Sequence, residues 1–598
     1  MPRVGARIRF VFVLAVVALG AACLQVMQAL AATKSPVTIN IEVTGSDASS
    51  LRKSLLPLAQ LGHLTVEQAP SLETVRSVAQ SDAKRFTQAL NADGFYAAAV
   101  EVKTTELDDG YRADFVVTTG ARYRITSYEI RYSDLGDDAR PKSPADLNID
   151  TDGSSRGADI VAIEQKILAA LKARGYPSAV ITERRAEAQV GKPEAKMVFV
   201  TTSGVLASFG PTIWPDGLHT RKDYLDTFVP WKEGQRFNMD RATQLRDDLV
   251  DTGLFTVVDV QPGAPDAEGR TPVNVTLTER KPRTFAAGLT YSTNIGVGGQ
   301  TSWQHRNLFR RGQLLEADLN LSQVTQSAKL QYKDPRVLKK TDLLISTTLQ
   351  NETTPFDAAT WDSTVELDYH FTRHLTGKAG TELFFSQSED SFGHHKSVLI
   401  GFPIGLAYNN INNVLNPTKG LNTAATIVPY VGASDGTLSF SQFETTASYH
   451  LPFDRNREWV GALWGRLGAS IGAGVAAVPA DKRYYAGGAG SVRAYGYRLI
   501  GPTDAQNQPI GGRSVLEGGG EFRFPVTDGF GGVVFLEGGA VSPQGLFTFD
   551  EGIRYGAGFG VRYYTAIGPI RADFAFPLNP RYGIDDAVQF YISLGQAF

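Results

Sequence analysis

The sequence has little sulfur, little histidine and almost no net charge. Among 598 residues there is one cysteine, Cys23, together with eight histidines and a formal charge of −3. A lone cysteine excludes a disulfide within the chain, and the histidines form no HExxH pattern. Near-neutral charge argues against a nucleic-acid partner. Also missing, after the first thirty or so residues, is any long apolar run. The nearest approach, GALWGRLGASIGAGVAAV at 461–478, carries Arg466 and five glycines, which makes a poor helix and an acceptable pair of strands. If the mature chain crosses a membrane, strands have to do it.

What is present begins with an export signal. Arg3, Arg7 and Arg9 precede FVFVLAVVALGAA, and Ala29-Leu30-Ala31 offers a small-residue cleavage site. A signal over 1–31, cleaved after Ala31, is the favoured reading. An uncleaved anchor is the first alternative, because residues 10–31 carry no charge. Lipidation of Cys23 is the second, opposed by Gly20 where a lipobox has a large aliphatic residue. On the first reading the exported protein contains no cysteine. The composition also holds 60 glycines, 32 phenylalanines and 22 tyrosines, which suits a chain of many strands.

Three stretches repeat one another: LNADGFYAAAVEV (90–102), LKARGYPSAVITE (171–183) and LVDTGLFTVVDVQ (249–261). Their glycines, Gly94, Gly175 and Gly253, recur at a spacing of about 80 residues, too long for a solenoid and right for duplicated small domains. In DIVAIEQKILAALKARG, Ile160, Ile163, Ile167, Leu168 and Leu171 form a one-sided apolar stripe, which predicts a helix capped by a left-handed glycine. A strand follows at once, and a second comes after it in YRADFVVTTG, AKMVFVTTSG and TPVNVTLTER. Each unit therefore reads as a small α+β domain with two helices on one face of a short sheet. Exposed edges of such sheets commonly bind extended peptide, although a plain spacer fits the pattern as well.

From about residue 284 strict alternation takes over. TFAAGLTYST sets Phe285, Ala287, Leu289 and Tyr291 on one face; RYGAGFGVRYY sets Tyr555, Ala557, Phe559, Val561 and Tyr563 against Arg554, three glycines and Arg562; IRADFAF sets Ile570, Phe574 and Phe576 against Arg571 and Asp573. One face is apolar and aromatic, the other small or charged. Export, no membrane helix and charge opposite an apolar face together favour a closed transmembrane barrel over a soluble sandwich. Strands of about 10 residues with their turns allow about 16 of them in the space available.

At this point the chain resembles the BamA/TamA superfamily of bacterial outer-membrane surface antigens, in which such repeats are called POTRA domains. The count of three repeats sets it nearest the TamA branch. YSTNIGVGGQTSWQHRNLFRRGQLL (291–315) resembles the family's first hairpin; NNVLNPTKG (412–420) resembles its Asn-Pro-Thr-Arg-Gly turn, with Lys419 for arginine; AIGPIRADFAFPL (566–578) is similar to its penultimate strand. The resemblance implies POTRA-like domains over 32–121, 122–205 and 206–282 in the periplasm and a barrel over 283–598 in the outer-membrane bilayer. It implies assembly or translocation of unfolded outer-membrane protein clients, of autotransporter type, with a TamB-like inner-membrane-anchored subunit as partner and no cofactor, metal or catalytic residue.

GGAGSVRAYGYRLIGP (487–502) contains Val492, Arg493, Ala494 and Tyr495, which match the family's Val-Arg-Gly-Tyr loop motif with alanine in place of glycine. The resemblance implies a loop folded into the barrel, its arginine paired with acids on nearby strands. The alanine implies a negative φ or mild strain at 494. Alternation places Glu517, Glu521 and Arg523 on one inward face and Glu537 on another, so Glu537 and Glu521 are the expected partners of Arg493; independently solvated lumen charges are the bland alternative. The first strand (about 284–293) is expected to close on the last (about 589–598). Gly595 and Gln596 break the alternation there, so the seam, marked by Tyr291, Phe590, Gly595 and Phe598, should be short or kinked.

Catalysis finds no support in these residues. GAGFG lies inside a strand pattern, GGRSVLEGG lacks the second glycine of a nucleophile elbow, and the adjacent His394 and His395 fall on opposite strand faces or in a loop, which argues against a shared metal. Other readings left open are a two-partner secretion porin, a general barrel insertase, a passive porin, and an adhesin or receptor.

Overall fold

The computed structural model describes residues 36–598 except 46, 66–68, 70, 137–139, 190, 455, 545–551, 566–567 and 597–598. The expected signal over 1–31, with Cys23 and Ala31, lies outside the described residues, and so does Phe598. The chain divides into two compact units. The first runs to Trp214 and adds Val229–Arg246 and Asp259–Val275; the second comprises Pro215–Phe228, Asp247–Val258 and Thr276–Phe598. The segment 206–282, expected as one repeat, is thus shared between them.

Three short sheets precede the barrel. The first is β1 (Val37–Thr44), β2 (Ala99–Leu107) and β3 (Gly110–Thr118), with helices α1 (Ala48–Leu55) and α2 (Leu72–Ala92) between β1 and β2. The second is β4 (Arg124–Tyr132), β5 (Val180–Ala188) and β6 (Glu194–Thr202), with α3 (Gly157–Ala173) before β5. The third is β7 (Ser208–Ile213), β8 (Phe255–Pro262) and β9 (Arg270–Glu279), with α4 (Lys222–Asp226) and α5 (Met239–Asp251) before β8. In each sheet the last strand of the repeat lies in the middle and pairs in parallel with the first.

The stripe on α3 does what its spacing predicts. Ile160, Ile163, Ile167 and Leu171 are buried against Ala195, Met197 and Phe199 of β6, each contributing about 1.5–3 kcal/mol by removal from water, while Leu168 stays partly buried at the margin. The helix ends where the Tyr176 amide donates to the Leu171 carbonyl at 3.1 Å across Gly175, whose φ is 100°. The same six-to-one closure joins Phe95 to Leu90 at 2.9 Å across Gly94.

The expectation of two helices per repeat fails in the second one. Among the described residues it has α3 and only a 3₁₀ turn at Ala145–Leu147. Pro141 and Pro144 supply no N–H to a longer helix, and Asn148 turns left-handed at φ 58° and stops the turn.

From Arg283 the chain forms a closed antiparallel barrel in which each strand pairs with the next, from Arg283–Ser292 round to Gln589–Leu594. Sixteen strands make it up among the described residues. The eighth is broken at Phe402-Pro403 into Gly393–Gly401 and Ile404–Asn409, both halves pairing with the same two neighbours. A proline cannot donate to the ladder, which accounts for the break.

The burial pattern is the reverse of a water-soluble sheet. Leu289 is 81 % exposed and Phe559 52 %, whereas Arg562 and Asp573 are fully buried. Apolar side chains point outward and charged ones into the lumen, as a wall surrounded by hydrocarbon requires. Closure leaves no sheet edge unpaired along most of the wall. No helix among the described residues is long and apolar enough to cross a membrane.

Candidate functional site

The segment 472–513 joins the strands Val460–Ile471 and Ser514–Thr527 and contributes to an apolar cluster inside the barrel. Tyr484, Ala486, Val492, Ala494, Tyr495 and Ile500 pack there with wall residues Val515, Phe535, Val541 and Ala575. This apolar patch on an otherwise charged inner wall gives the segment a place to dock.

Arg493 is 1 % exposed at the centre of the contact. Its Nε donates to Glu537 Oε1 at 2.8 Å, its backbone N–H to Glu537 Oε2 at 2.8 Å, its Nη2 to Glu521 at 3.0 Å and its Nη1 to Asp573 at 3.0 Å. The guanidinium face lies 3.4 Å from the centre of the Phe535 ring. Three acids on three different strands thus meet one planar cation, the arrangement for which a fork of five donors is suited. Burial works against its charge, but the fields of Glu537, Glu521 and Asp573 outweigh it and raise its pKa above the usual arginine value. The acids have cationic partners of their own: Arg523 contacts Glu521 at 2.6 Å, and Arg562 pairs with Asp573.

The residues next to Arg493 complete the contact. Ala494 does not take a positive φ. Its methyl occupies space left by Gly556 on the facing strand, where an added Cβ would come within 2.2 Å of the Ala494 Cβ. The Tyr495 hydroxyl lies 3.0 Å from the Tyr555 carbonyl and 2.9 Å from Asn579 Oδ1. Close approach of the loop therefore depends on the glycine face of RYGAGFGVRYY.

Glu537 and Glu521 are brought to Arg493 as the inward alternation suggested, while Glu517 is directed elsewhere, to Arg466 at 3.2 Å and to the Ser491 hydroxyl. Asp573 is the partner that sequence reasoning did not assign. Its alternation with Ile570, Phe574 and Phe576 marked it as inward, but nothing local said which cation it would meet. A second anchor was missed altogether. Lys482 contacts Glu382 at 2.5 Å and Asp362 at 3.5 Å and stands 4.1 Å from the Phe384 ring centre; Arg483 meets Asp390 at 2.6 Å and Arg498 meets Glu352 at 2.9 Å. These acids lie on strands remote in sequence from the acids around Arg493, so the segment is tied to two parts of the wall.

The seam is short. Among the described residues the first and last strands pair at Tyr291↔Ile592 and Ser292↔Tyr591, continued by the Thr293 N–H, which donates to the Phe590 carbonyl at 3.1 Å. Side chains support that end: the Tyr291 and Phe590 rings lie 6.3 Å apart, and the Tyr591 hydroxyl donates to the Arg493 carbonyl at 2.9 Å. Gly595 has φ 87° and its N–H donates to the Pro569 carbonyl at 2.8 Å, so the chain turns away from the first strand there. His394 and His395 sit with Glu389, Asp390 and Asp435, and no group of potential ligands with metal-binding geometry occurs among the described residues.

Such a barrel, with a locked lumen segment, a short seam and three preceding α+β sheets, defines an outer-membrane β-barrel protein with N-terminal repeats. Residues 307–598 match the family model of the Omp85 superfamily domain. Outer membrane protein assembly factor BamA of Nitratidesulfovibrio vulgaris is 22 % identical over 84 % of this chain and 66 % of its own length. Outer envelope protein 80 of Arabidopsis thaliana chloroplasts is 24 % identical over 58 % of this chain and 50 % of its own. The chain thus spans from half to about two thirds of these relatives' length. Among solved structures, BamA from Haemophilus ducreyi lacking POTRA domains 1–3 superposes with a TM-score of 0.60 at 18 % identity, covering 79 % of this chain and all of that one. CdiB from Acinetobacter baumannii gives 0.50 at 15 %, covering 80 % and 91 %. These matches support the BamA/Omp85 superfamily, and the protein is one of the bacterial outer membrane with its three N-terminal α+β repeats in the periplasm.

Proposed function

We propose that this protein inserts or secretes other outer-membrane proteins, autotransporter-like β-barrel clients foremost, through its lateral seam. The observation that carries the reading is the disparity in strand pairing. The first strand shares ten residue pairs with the second but two with the last. Along Arg283–Thr290 it presents backbone groups to which an extended client strand can add, with strand pairing as the driving force and no nucleotide or cofactor. The names of the bacterial relatives, assembly factors of outer-membrane proteins, agree with it. In this reading Val492, Arg493, Ala494 and Tyr495 with Glu521 and Glu537 keep the lumen plugged, and Tyr291, Phe590, Gly595 and Phe598 form the gate. Repeats over 32–121, 122–205 and 206–282 ahead of a barrel at 283–598 favour the TamA branch, with a TamB-like subunit on the repeats. A two-partner secretion transporter is the second reading, supported by the likeness to CdiB.

The test is a disulfide between Tyr291→Cys and Ile592→Cys, which are paired across the seam. Oxidised protein should fold and stop assembling clients, with activity returning on reduction. Undiminished client assembly by fully cross-linked protein would overturn the seam reading. Depletion of the protein should remove autotransporter barrels selectively from the outer membrane; general loss of barrels would favour a general insertase.

A further inference from the structure

The turn between Ile404–Asn409 and Gly420–Ser434 is rigid without an apolar core. Asn412 Oδ1 accepts from the amides of Thr418 at 3.0 Å and Lys419 at 3.1 Å, and Asn413 Oδ1 accepts from those of Leu415 at 2.8 Å and Asn416 at 2.9 Å. Internal bonds of this kind hold a loop in one shape even when its side chains face elsewhere. Its tip is not a free surface. The Gln596 amide donates to the Leu415 carbonyl at 3.2 Å, and Gln596 Nε2 donates to Asn416 Oδ1 at 3.0 Å. The Leu415 side chain fills space beside Gly568 and Gly595, where added Cβ atoms would lie 3.3 and 3.8 Å from it. A turn from the eighth and ninth strands thus grips the chain just beyond the sixteenth.

That grip begins where the seam ends. Pairing with the first strand covers Tyr591 and Ile592, whereas Gly595 takes φ 87° with its N–H on the Pro569 carbonyl and Gln596 is already bonded to the turn. The grip is also wired to the charge cluster around Arg493. Arg523, which binds Glu521, donates to the Pro417 carbonyl at 2.9 Å, and Arg562, which binds Asp573, donates to Gln596 Oε1 at 2.9 Å. Both the turn and the strand end are therefore fixed to the same acids that hold the lumen segment.

We propose that the turn 410–419 is a latch that draws the end of the last strand out of register with the first, and so keeps the periplasmic half of the first strand unpaired. Continuing the ladder from Tyr291↔Ile592 would set Leu289 opposite Leu594 and Ala287 opposite Gln596. Gln596 cannot reach that position while it is bonded to Leu415 and Asn416. Leu415, Asn416 and Gln596 are positioning residues: they do not touch a client, but they decide how much edge is offered to one. This rests on the seam reading of function for its purpose, though not for its geometry.

The experiment measures the geometry. A disulfide reporter, Leu289→Cys with Leu594→Cys, is placed in the full-length protein in outer-membrane vesicles, alone and combined with Leu415→Ala/Asn416→Ala. The turn keeps its Asn412 and Asn413 bonds in that variant. A several-fold rise in cross-linked product on releasing the turn is expected, with the Tyr291→Cys/Ile592→Cys reporter unchanged as evidence that the barrel is folded and the upper seam intact. Gln596→Ala removes the side-chain bond to Asn416 from the strand side, leaves the backbone bond to the Leu415 carbonyl, and should raise the yield in the same direction. Equal yields at 289/594 with and without these substitutions overturn the latch. Because the readout is a cross-link and not client assembly, it can fail while the seam remains the route for clients, and the seam disulfide can fail while the latch stands.

Discussion

Arg493 shows why a residue type matters at a single position. Its donors diverge to Glu537, Glu521 and Asp573 while its flat face rests on Phe535. A lysine would bring the charge but neither the divergence nor the planar contact. Leaving any of these acids buried without a cation would be strongly destabilising. Ala494 depends on a neighbour in a simpler way, through volume. With Gly556 carrying a methyl, two Cβ atoms would collide at 2.2 Å, so Gly556→Ala should lower barrel stability by about 1–3 kcal/mol. Ala494→Gly in the same protein should recover most of that loss. The midpoint of heat-induced loss of the compact gel band reads both, and an uncorrected loss in the double variant would show that the contact is not the cause.

At the scale of elements, the repeats were legible because their signals are local. An apolar stripe of 3.6-residue period and a glycine at its end depend only on residues within one helix and the next turn, and α3 with Gly175 follows them. The missing helix of the second repeat was less legible, since the expectation came from analogy among repeats while Pro141, Pro144 and Asn148 argued against it locally. Gly175→Ala tests the cap. A side chain at φ 100°, with Leu206 Cδ1 2.9 Å from its Cβ, should cost about 1–2 kcal/mol and speed protease cleavage of the repeats in the full-length protein, leaving the barrel band unchanged. The faces of the barrel strands were equally plain from alternation, which has no need of partner identity.

For the whole molecule, the question is whether the barrel is a pore. The lumen segment is held at two places, by Arg493 on Glu537, Glu521 and Asp573 and by Lys482 on Glu382 and Asp362. Protein in a planar bilayer should therefore show low conductance with rare openings. Arg493→Ala should give brief openings, because the anchor of Lys482, Arg483 and Arg498 remains, and adding Lys482→Ala, Arg483→Ala and Arg498→Ala to it should give long ones. A large stable conductance from the unsubstituted protein would favour a passive porin.

By itself the sequence determined the repeat spacing, the helix ends and the face to which each barrel strand turns its apolar side. All of these rest on periodicity or on contacts a few residues apart. Alternation also showed that Glu517, Glu521, Glu537 and Asp573 point inward, without saying which cation each would meet. That choice was left to the tertiary structure, because it depends on strand register and on where a 42-residue loop comes down between wall acids 28 residues (Arg493–Glu521) to 146 residues (Arg498–Glu352) away in sequence. The same holds for the two-pair seam and for Gln596 bonded to Asn416, separated by 180 positions along the chain. Ring closure brings these groups together, and only the closed barrel defines the distance between its first and last strands.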